Sequence, residues 1–240
     1  NKFIIKSEFQ NNDAIYDLTS ETYETNSRLR KKLTINKDSS TKSLEDLYGL
    51  IPFLVFLPET ERLFLSSPSV RRNLLDRFIF TYVSGYDKLV NQYNKYILER
   101  SKLLSREFFD EKWMIRIEEN ISISGSKIYL LRQNQKDILF KNLNYFLKEF
   151  KLGYAINIKL NDKYYHNNLN EEYFVKELKN NRSLDKIIGG SKIGPHKSDY
   201  LFYINNEYIA SQLSTGQQKT LILLIYLSQC KYLIDYLNKM

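Results

Sequence analysis

Cysteine is almost missing from this chain. A lone thiol at Cys230 allows no intrachain disulfide and no thiolate cluster, which fits a reducing compartment. The two histidines, His166 and His196, lie 30 residues apart with no cysteine companions, which argues against a zinc site. No stretch approaches 18 consecutive apolar residues, so no membrane span is expected. No basic, apolar, small-residue leader opens the chain. A phosphate-binding P-loop is missing as well. Gly189 and Gly194 have the spacing of its first half, but Pro195 and His196 follow where Lys and Ser or Thr are needed. Pro195 also removes a backbone donor. No long apolar run ends in an acidic pair able to hold magnesium and a water.

The composition is that of a folded domain, 42% hydrophobic and 27% charged over 240 residues, enough for one large domain or two small ones. The net charge is +8 and the isoelectric point about 9.2. Such a balance points to nucleic acid or another anionic surface. It also follows from a chain rich in Lys, Asn, Ile and Tyr throughout, and the two readings stay open. The chain opens at Asn1 and stops at Met240 within a helical pattern, so an internal piece of a longer protein is expected.

Residues 1–36 read as short strands and turns. Arg28, Arg30, Lys31 and Lys32 make 28–35 a basic strand, either a solvated edge or a phosphate-contacting ribbon. Ser43 is placed to cap a short helix over 44–48, and the apolar run 53–57 between Pro52 and Pro58 reads as a buried strand. Ser67-Pro68 starts a helix. Its apolar face is Val70, Leu74, Phe78 and Tyr82, with Arg71 and Arg72 off that face and Arg72 four residues from Asp76, an ion-pair spacing. A long helix is expected over 86–104. A second is expected over 110–123 and a third over 128–150, with Gly125 between them. Residues 154–160 alternate as a strand, 171–181 read as a helix, and 198–209 as a hairpin turning at Asn205-Asn206.

The chain is organised around Leu213-Ser214-Thr215-Gly216-Gln217 and the apolar run 221–227. Ser214 and Gln217 have capping-box spacing, and a helix apolar all round is expected to be buried. Free N–H groups and the positive end of the helix dipole make its first turn an anion site, with Gly216 allowing close approach. The plainer alternative is a well-capped core helix.

Three blocks carry a family resemblance. Leu213 to Gln217 is similar to the Leu-Ser-Gly-Gly-Gln signature of ABC-type ATPases, with Thr215 in place of the first Gly. Phe56-Leu57-Pro58-Glu59, followed by Ser67-Pro68 and Arg71-Arg72 with Leu75-Asp76, resembles the RecF family of DNA-repair ATPases. Thr60 and Ser66 stand where that family has Asp and Gly. Gly194-Pro195-His196-Lys197-Ser198-Asp199 resembles the family's Gly-Pro-His-Arg-x-Asp element, with Lys197 in place of Arg.

The resemblance implies an α/β fold, part of an ABC-type ATPase head with an inserted helical subdomain. The expected parts are 1–65 and 151–240 from the head and 66–150 from the insertion. It implies a cytoplasmic protein of the DNA-damage (SOS) response that binds ATP with Mg2+ and forms an ATP-dependent homodimer. It also implies contacts with single-strand gaps and duplex junctions, a RecR-type mediator and a RecA-type recombinase. Ser214, Thr215, Gly216 and Gln217 would meet the γ-phosphate held by the opposite subunit. Arg28, Arg30, Lys31, Lys32, Arg71, Arg72 and Lys197 are the candidate DNA contacts. Gly194, Pro195, His196 and Asp199 complete the third block, in which His196 reads as a loop histidine bonded to nearby backbone. Without a P-loop or an acidic pair in these residues, the chain by itself is expected to be inactive toward ATP. A non-enzymatic interaction module, or an ABC-type head from another system, are the competing readings.

Overall fold

The computed structural model describes residues 3–11, 14–25, 28–40, 42–43, 54–162 and 170–238. The chain divides into two compact units, Asn1–Phe53 and Leu54–Met240.

In the first unit, β1 (Phe3–Asn11), β2 (Ala14–Thr25) and β3 (Arg28–Ile35) form an antiparallel sheet in that order. Register follows the period-2 pattern. Ile5 faces Ser20, which faces Leu33, on one side; Ile4 faces Glu21, which faces Lys32, on the other. Alternation therefore splits the basic strand. Arg28, Arg30 and Lys32 share one face, and Lys31 sits with Leu29 and Leu33 on the opposite one. Asp38 ends this unit's described turn, accepting hydrogen bonds from Ser40 and Ser43. The helix expected over 44–48 lies outside the described residues.

The second unit begins differently from the expected strand. Phe53 lies outside the described residues, and residues 54–57 pair with no strand among them. Val55, Phe56 and Leu57 are largely exposed. With prolines at 52 and 58 removing ladder donors, the run serves as a brace. The Val55 carbonyl accepts from Tyr226 at 3.1 Å, and Phe56 meets the Tyr226 ring edge-on at 5.1 Å. A 3-10 turn, Pro58–Arg62, follows.

Helix α1 (Pro68–Phe80) starts at Ser67 as expected, although the Ser67 hydroxyl bonds Ser69 rather than a backbone N–H. Helix α2 (Tyr86–Leu104) covers the predicted span. The two helices expected on either side of Gly125 are a single 39-residue helix, α3 (Glu111–Glu149), capped by the Asp110 carboxylate. Gly125 does not interrupt it. The rings of Phe174 and Tyr93 close onto the glycine, and a Cβ there would overlap Phe174. A missing side chain at this point permits packing against neighbours, and intrahelical bonds outweigh the propensity cost of glycine.

Helix α3 belongs to two cores. Its first half, with Met114, Ile121 and Ile128, packs on α2 and on Phe174 of α4 (Glu171–Asn180). Its second half, with Leu139, Leu143 and Leu147, packs on β4 (Ile156–Asn161), β5 (Asp199–Ile204) and α6 (Thr215–Leu237). The expected helical segment and the segment that follows it therefore share one compact unit. Strands β4, β5 and β6 (Tyr208–Ile209) form the second antiparallel sheet. Its hairpin turns at Asn205 and Asn206, with φ of 52° and 60°. A short helix, α5 (Arg182–Ile188), was not anticipated. It is held by the buried Arg100, which donates to Asp185 at 2.7 Å and to Glu118 at 2.9 Å.

Helix α6 is only half buried, against the expectation of burial all round. Leu221, Ile222 and Ile225 are in the core, whereas Leu223, Leu227, Cys230, Ile234 and Leu237 are exposed along one side. It is also the one described helix long and apolar enough to cross a membrane by length and composition. The 44% burial of that window inside the fold, and its core residues, mark it as a core helix with one open face.

Candidate functional site

The first turn of α6 has the predicted cap. The Ser214 hydroxyl accepts from the Gln217 N–H at 3.3 Å, and the Gln217 amide oxygen accepts from the Ser214 N–H at 3.0 Å. The Ser214 carbonyl already serves Gln218, whose side-chain amide donates to the Leu213 carbonyl at 2.8 Å. Thr215 and Gly216 remain as the helix's orphan donors. Ser214, Thr215, Gly216 and Gln217 are all exposed. Among the described residues, and apart from its chain neighbours and the helix's own backbone, no atom lies within 4 Å of where a Gly216 Cβ would stand. The positive helix terminus therefore opens on free space that a side chain would partly fill, an arrangement that fits a phosphate oxygen. Lys219, one turn on, reaches Glu61 at 2.9 Å, and both are well exposed.

The third block forms a pinned loop, held by side chains of three helices. From α1, Arg71 grips Asp199 with two parallel bonds of 2.7 and 2.9 Å, and Arg72 donates to the Ser198 carbonyl at 2.7 Å. From α3, Arg132 donates to the Pro195 carbonyl at 2.5 Å and holds Asp76 with two further bonds. From α2, Tyr93 bonds His196 Nδ1 at 2.6 Å. The other ring nitrogen, Nε2, lies 3.0 Å from the Ser191 carbonyl. A carbonyl only accepts, so Nε2 carries the proton. Burial pushes the His196 pKa down to about 4, helped by the nearby charges of Lys197, Arg72 and Arg132, against the opposing bond to Ser191. The ring is therefore neutral at pH 7, and Nδ1 accepts from the Tyr93 hydroxyl. Gly194 has φ of 127°, and a Cβ there would fall on the Tyr93 hydroxyl. Both the backbone and the packing demand glycine.

Two expectations about the paired arginines change. Arg71 is 9% exposed and spends its donors on Asp199 and on the Ser66, Leu63 and Phe64 carbonyls. A phosphate outside the protein would have to displace Asp199 to reach it. Arg72 does not take Asp76. That carboxylate is held by Arg132 and by the Tyr86 hydroxyl, and Arg72 turns to the loop. Arg72 is half-buried, with desolvation first and Arg132 second lowering its pKa, while Lys197 is exposed. Arg28, Arg30, Lys31 and Lys32 are all exposed on β3.

Tyr93 and Arg132 escaped the sequence reading. Tyr93 reads as one more apolar-face residue of its helix, and Arg132 as one charge among many. Their partners lie 103 and 56 residues away, beyond any local pattern. No group of three or more His, Cys, Asp or Glu able to hold a metal ion occurs among the described residues.

No family model matches the chain. It is similar to the DNA replication and repair protein RecF of Rickettsia felis, at 32% identity over 180 residues, covering 74% of this chain and 50% of the relative. The same protein of Rickettsia bellii is 28% identical over 216 residues, covering 86% of this chain and 58% of the relative. The chain thus spans about half the length of the curated relatives it matches. Among solved structures, the recombination mediator protein RecF of the RecFOR pathway superposes with a TM-score of 0.84 as its ATPrS complex, at 23% identity and over 98% of this chain. Its ATP complex also gives 0.84, at 24% identity over 97% of this chain. These structures cover the fold, and each is matched over 64% and 63% of its own length. Curated relatives along most of the chain, a shared fold and three motif blocks in order lead to one conclusion: the chain belongs to the RecF family of DNA replication and repair proteins, as a segment of it.

Proposed function

We propose that this chain supplies the signature half of a composite ATP site in a RecF-type repair protein. The observation that carries the reading is the exposed, capped start of α6, where Gly216 leaves open space before the orphan N–H groups. ATP bound there would supply a multiply charged terminal phosphate able to bridge two subunits. Ser214 and Gly216 would face that charge in trans, and Gln217 would hold the cap that orients them. The chain lacks a P-loop lysine and an acidic pair in these residues, so it hydrolyses no ATP by itself, and any Mg2+ would be held by residues other than these.

DNA contact is the second part of the reading, supported by the +8 charge and by the exposed cations of β3. Arg28, Arg30, Lys31 and Lys32 would give salt-dependent, sequence-independent affinity for phosphates. Arg72 and Lys197 join them, and Arg71 is left out because its donors are turned on Asp199. Single-strand gaps and duplex junctions, a RecR-type mediator, a RecA-type recombinase and a cytoplasmic location complete the proposal by family likeness.

In the intact protein, Ser214→Arg is expected to abolish ATP-driven dimerisation measured by light scattering. Dimer formation equal to the parent would remove the signature role.

A further inference from the structure

Helix α6 closes a core with one side and leaves the other side open. Leu221, Ile222 and Ile225 are in that core, whereas Leu223 is 53% exposed and Ile234 58%. Leu223, Leu227, Cys230, Ile234 and Leu237 follow one another at alternating steps of four and three residues. Such steps keep a row of side chains on one side of a helix, here for about 21 Å at a rise of 1.5 Å per residue.

A side built for water carries Lys or Glu among its residues. Residues 220–230 contain no charged side chain. The three charged residues of the helix are already engaged, Lys219 with Glu61 at 2.9 Å and Lys231 with Asp235 at 3.3 Å. The Lys231 ammonium also lies over the Tyr145 ring of α3, 4.6 Å from its centre. The row therefore offers aliphatic area and no free charge, which suits neither a phosphate backbone nor an acidic partner. A contiguous apolar strip of this kind marks a contact surface. Lipid is disfavoured by the other side of the same helix, which would have to leave Leu139 and Leu143 in the core it shares with them.

The family's length supplies the occupant. The 240 residues match 98% of themselves to the solved RecF chain and only 64% of that chain. More than a third of that fold has no counterpart in this segment, and it must pack on the part that has one. We infer that the open side of α6 is an internal surface, covered in the RecF-length polypeptide by an uncharged, aliphatic face of the residues outside this segment. Leu223, Leu227, Ile234 and Leu237 form the contact, and Cys230 sits at its middle. This rests on the chain being a segment of the family, and on neither the ATP nor the DNA reading.

The intact polypeptide and the 240-residue chain are treated with iodoacetamide in the absence of ATP, and modification at Cys230 is followed by peptide mass. Labelling should be at least about 10-fold slower in the intact protein, where the thiol is covered, and equal in the two once urea unfolds them. Leu227→Glu with Ile234→Glu should lower the melting temperature of the intact protein by several degrees, because charge then enters an apolar contact. The same pair should leave the melting temperature of the 240-residue chain nearly unchanged. Should the double variant of the intact protein fail to fold, labelling of the parent still decides. Equal labelling rates in the two folded forms would overturn the inference and leave the ATP and DNA readings standing. If the intact protein is dimeric by light scattering and Cys230 becomes reactive on dilution to the monomer, a second copy covers the face and the inference is overturned. Protection that begins only when phosphatidylcholine vesicles are added would assign the face to lipid, with the same consequence.

Discussion

Single residues here are defined by what they face across long stretches of chain. Arg71 and Arg72 are neighbours with different work. One closes a two-bond lock on Asp199, and the other reaches a loop carbonyl and keeps donors in hand. Removing one partner of a nearly buried pair strands the other charge, at a cost of roughly 3–5 kcal/mol. Arg71→Ala should therefore lower the urea midpoint far more than Arg72→Ala. Equal small shifts would show that the lock contributes little. His196 makes a pH-dependent prediction. Its pKa is depressed from 6.5 to about 4 by burial, so between these values the unfolded chain binds the extra proton. Stability from this residue is full above pH 6.5 and is lost as pH falls toward 4, at up to about 1.4 kcal/mol per unit. Comparing acid unfolding of the parent with His196→Gln should show a shallower loss in the variant across that window. Parallel curves would mean that the ring takes up its proton at the same pH in the folded and unfolded chain.

Among the elements, the long helix α3 depends on a residue that intrinsic preference disfavours. Replacing Gly125 with Ala in an isolated helix gains about 1 kcal/mol. Here the added Cβ meets the ring of Phe174, a residue 1% exposed and packed on all sides. Overpacking of this kind costs roughly 1–3 kcal/mol, so the steric effect wins. Gly125→Ala should lower the melting temperature by a few degrees, at about 2–4 °C per kcal/mol for a chain of this size. A raised melting temperature would show that the two rings yield. The start of α6 behaves in the ordinary way. Ser214→Ala loses a cap worth about 1 kcal/mol and should give a small drop in stability, whatever the first turn binds. Both results follow from the same local rules, and only the neighbours of α3 reverse the sign.

At the scale of the whole molecule, the charge is in excess and so is apolar surface. The open side of α6 runs through Leu223, Leu227, Cys230, Ile234 and Leu237, at the four-and-three spacing of one helical face. Cys230 reports on that face. Its thiol is exposed, with partial burial raising its pKa, so it should react with a thiol reagent in the native state, more slowly than a free thiol at neutral pH and faster as pH rises. A native chain that resists the reagent until unfolded would show this face covered.

How much of this was readable beforehand follows from the range of the interactions. Local rules placed β3, α2 and the hairpin at Asn205-Asn206, because period, propensity and turn chemistry act over a few residues. The capping box at Ser214 was legible for the same reason, since both of its bonds close within three residues. Gly125 reads as a break in sequence and Phe56 as a buried strand, because neither pattern says what stands opposite. Tertiary structure alone decided that one helix joins two cores, that Arg71 faces inward, and that Tyr93 and Arg132 hold the loop around Lys197. Those outcomes depend on pairings across 56 to 128 residues, where charge and shape complementarity are settled only once the chain has closed on itself.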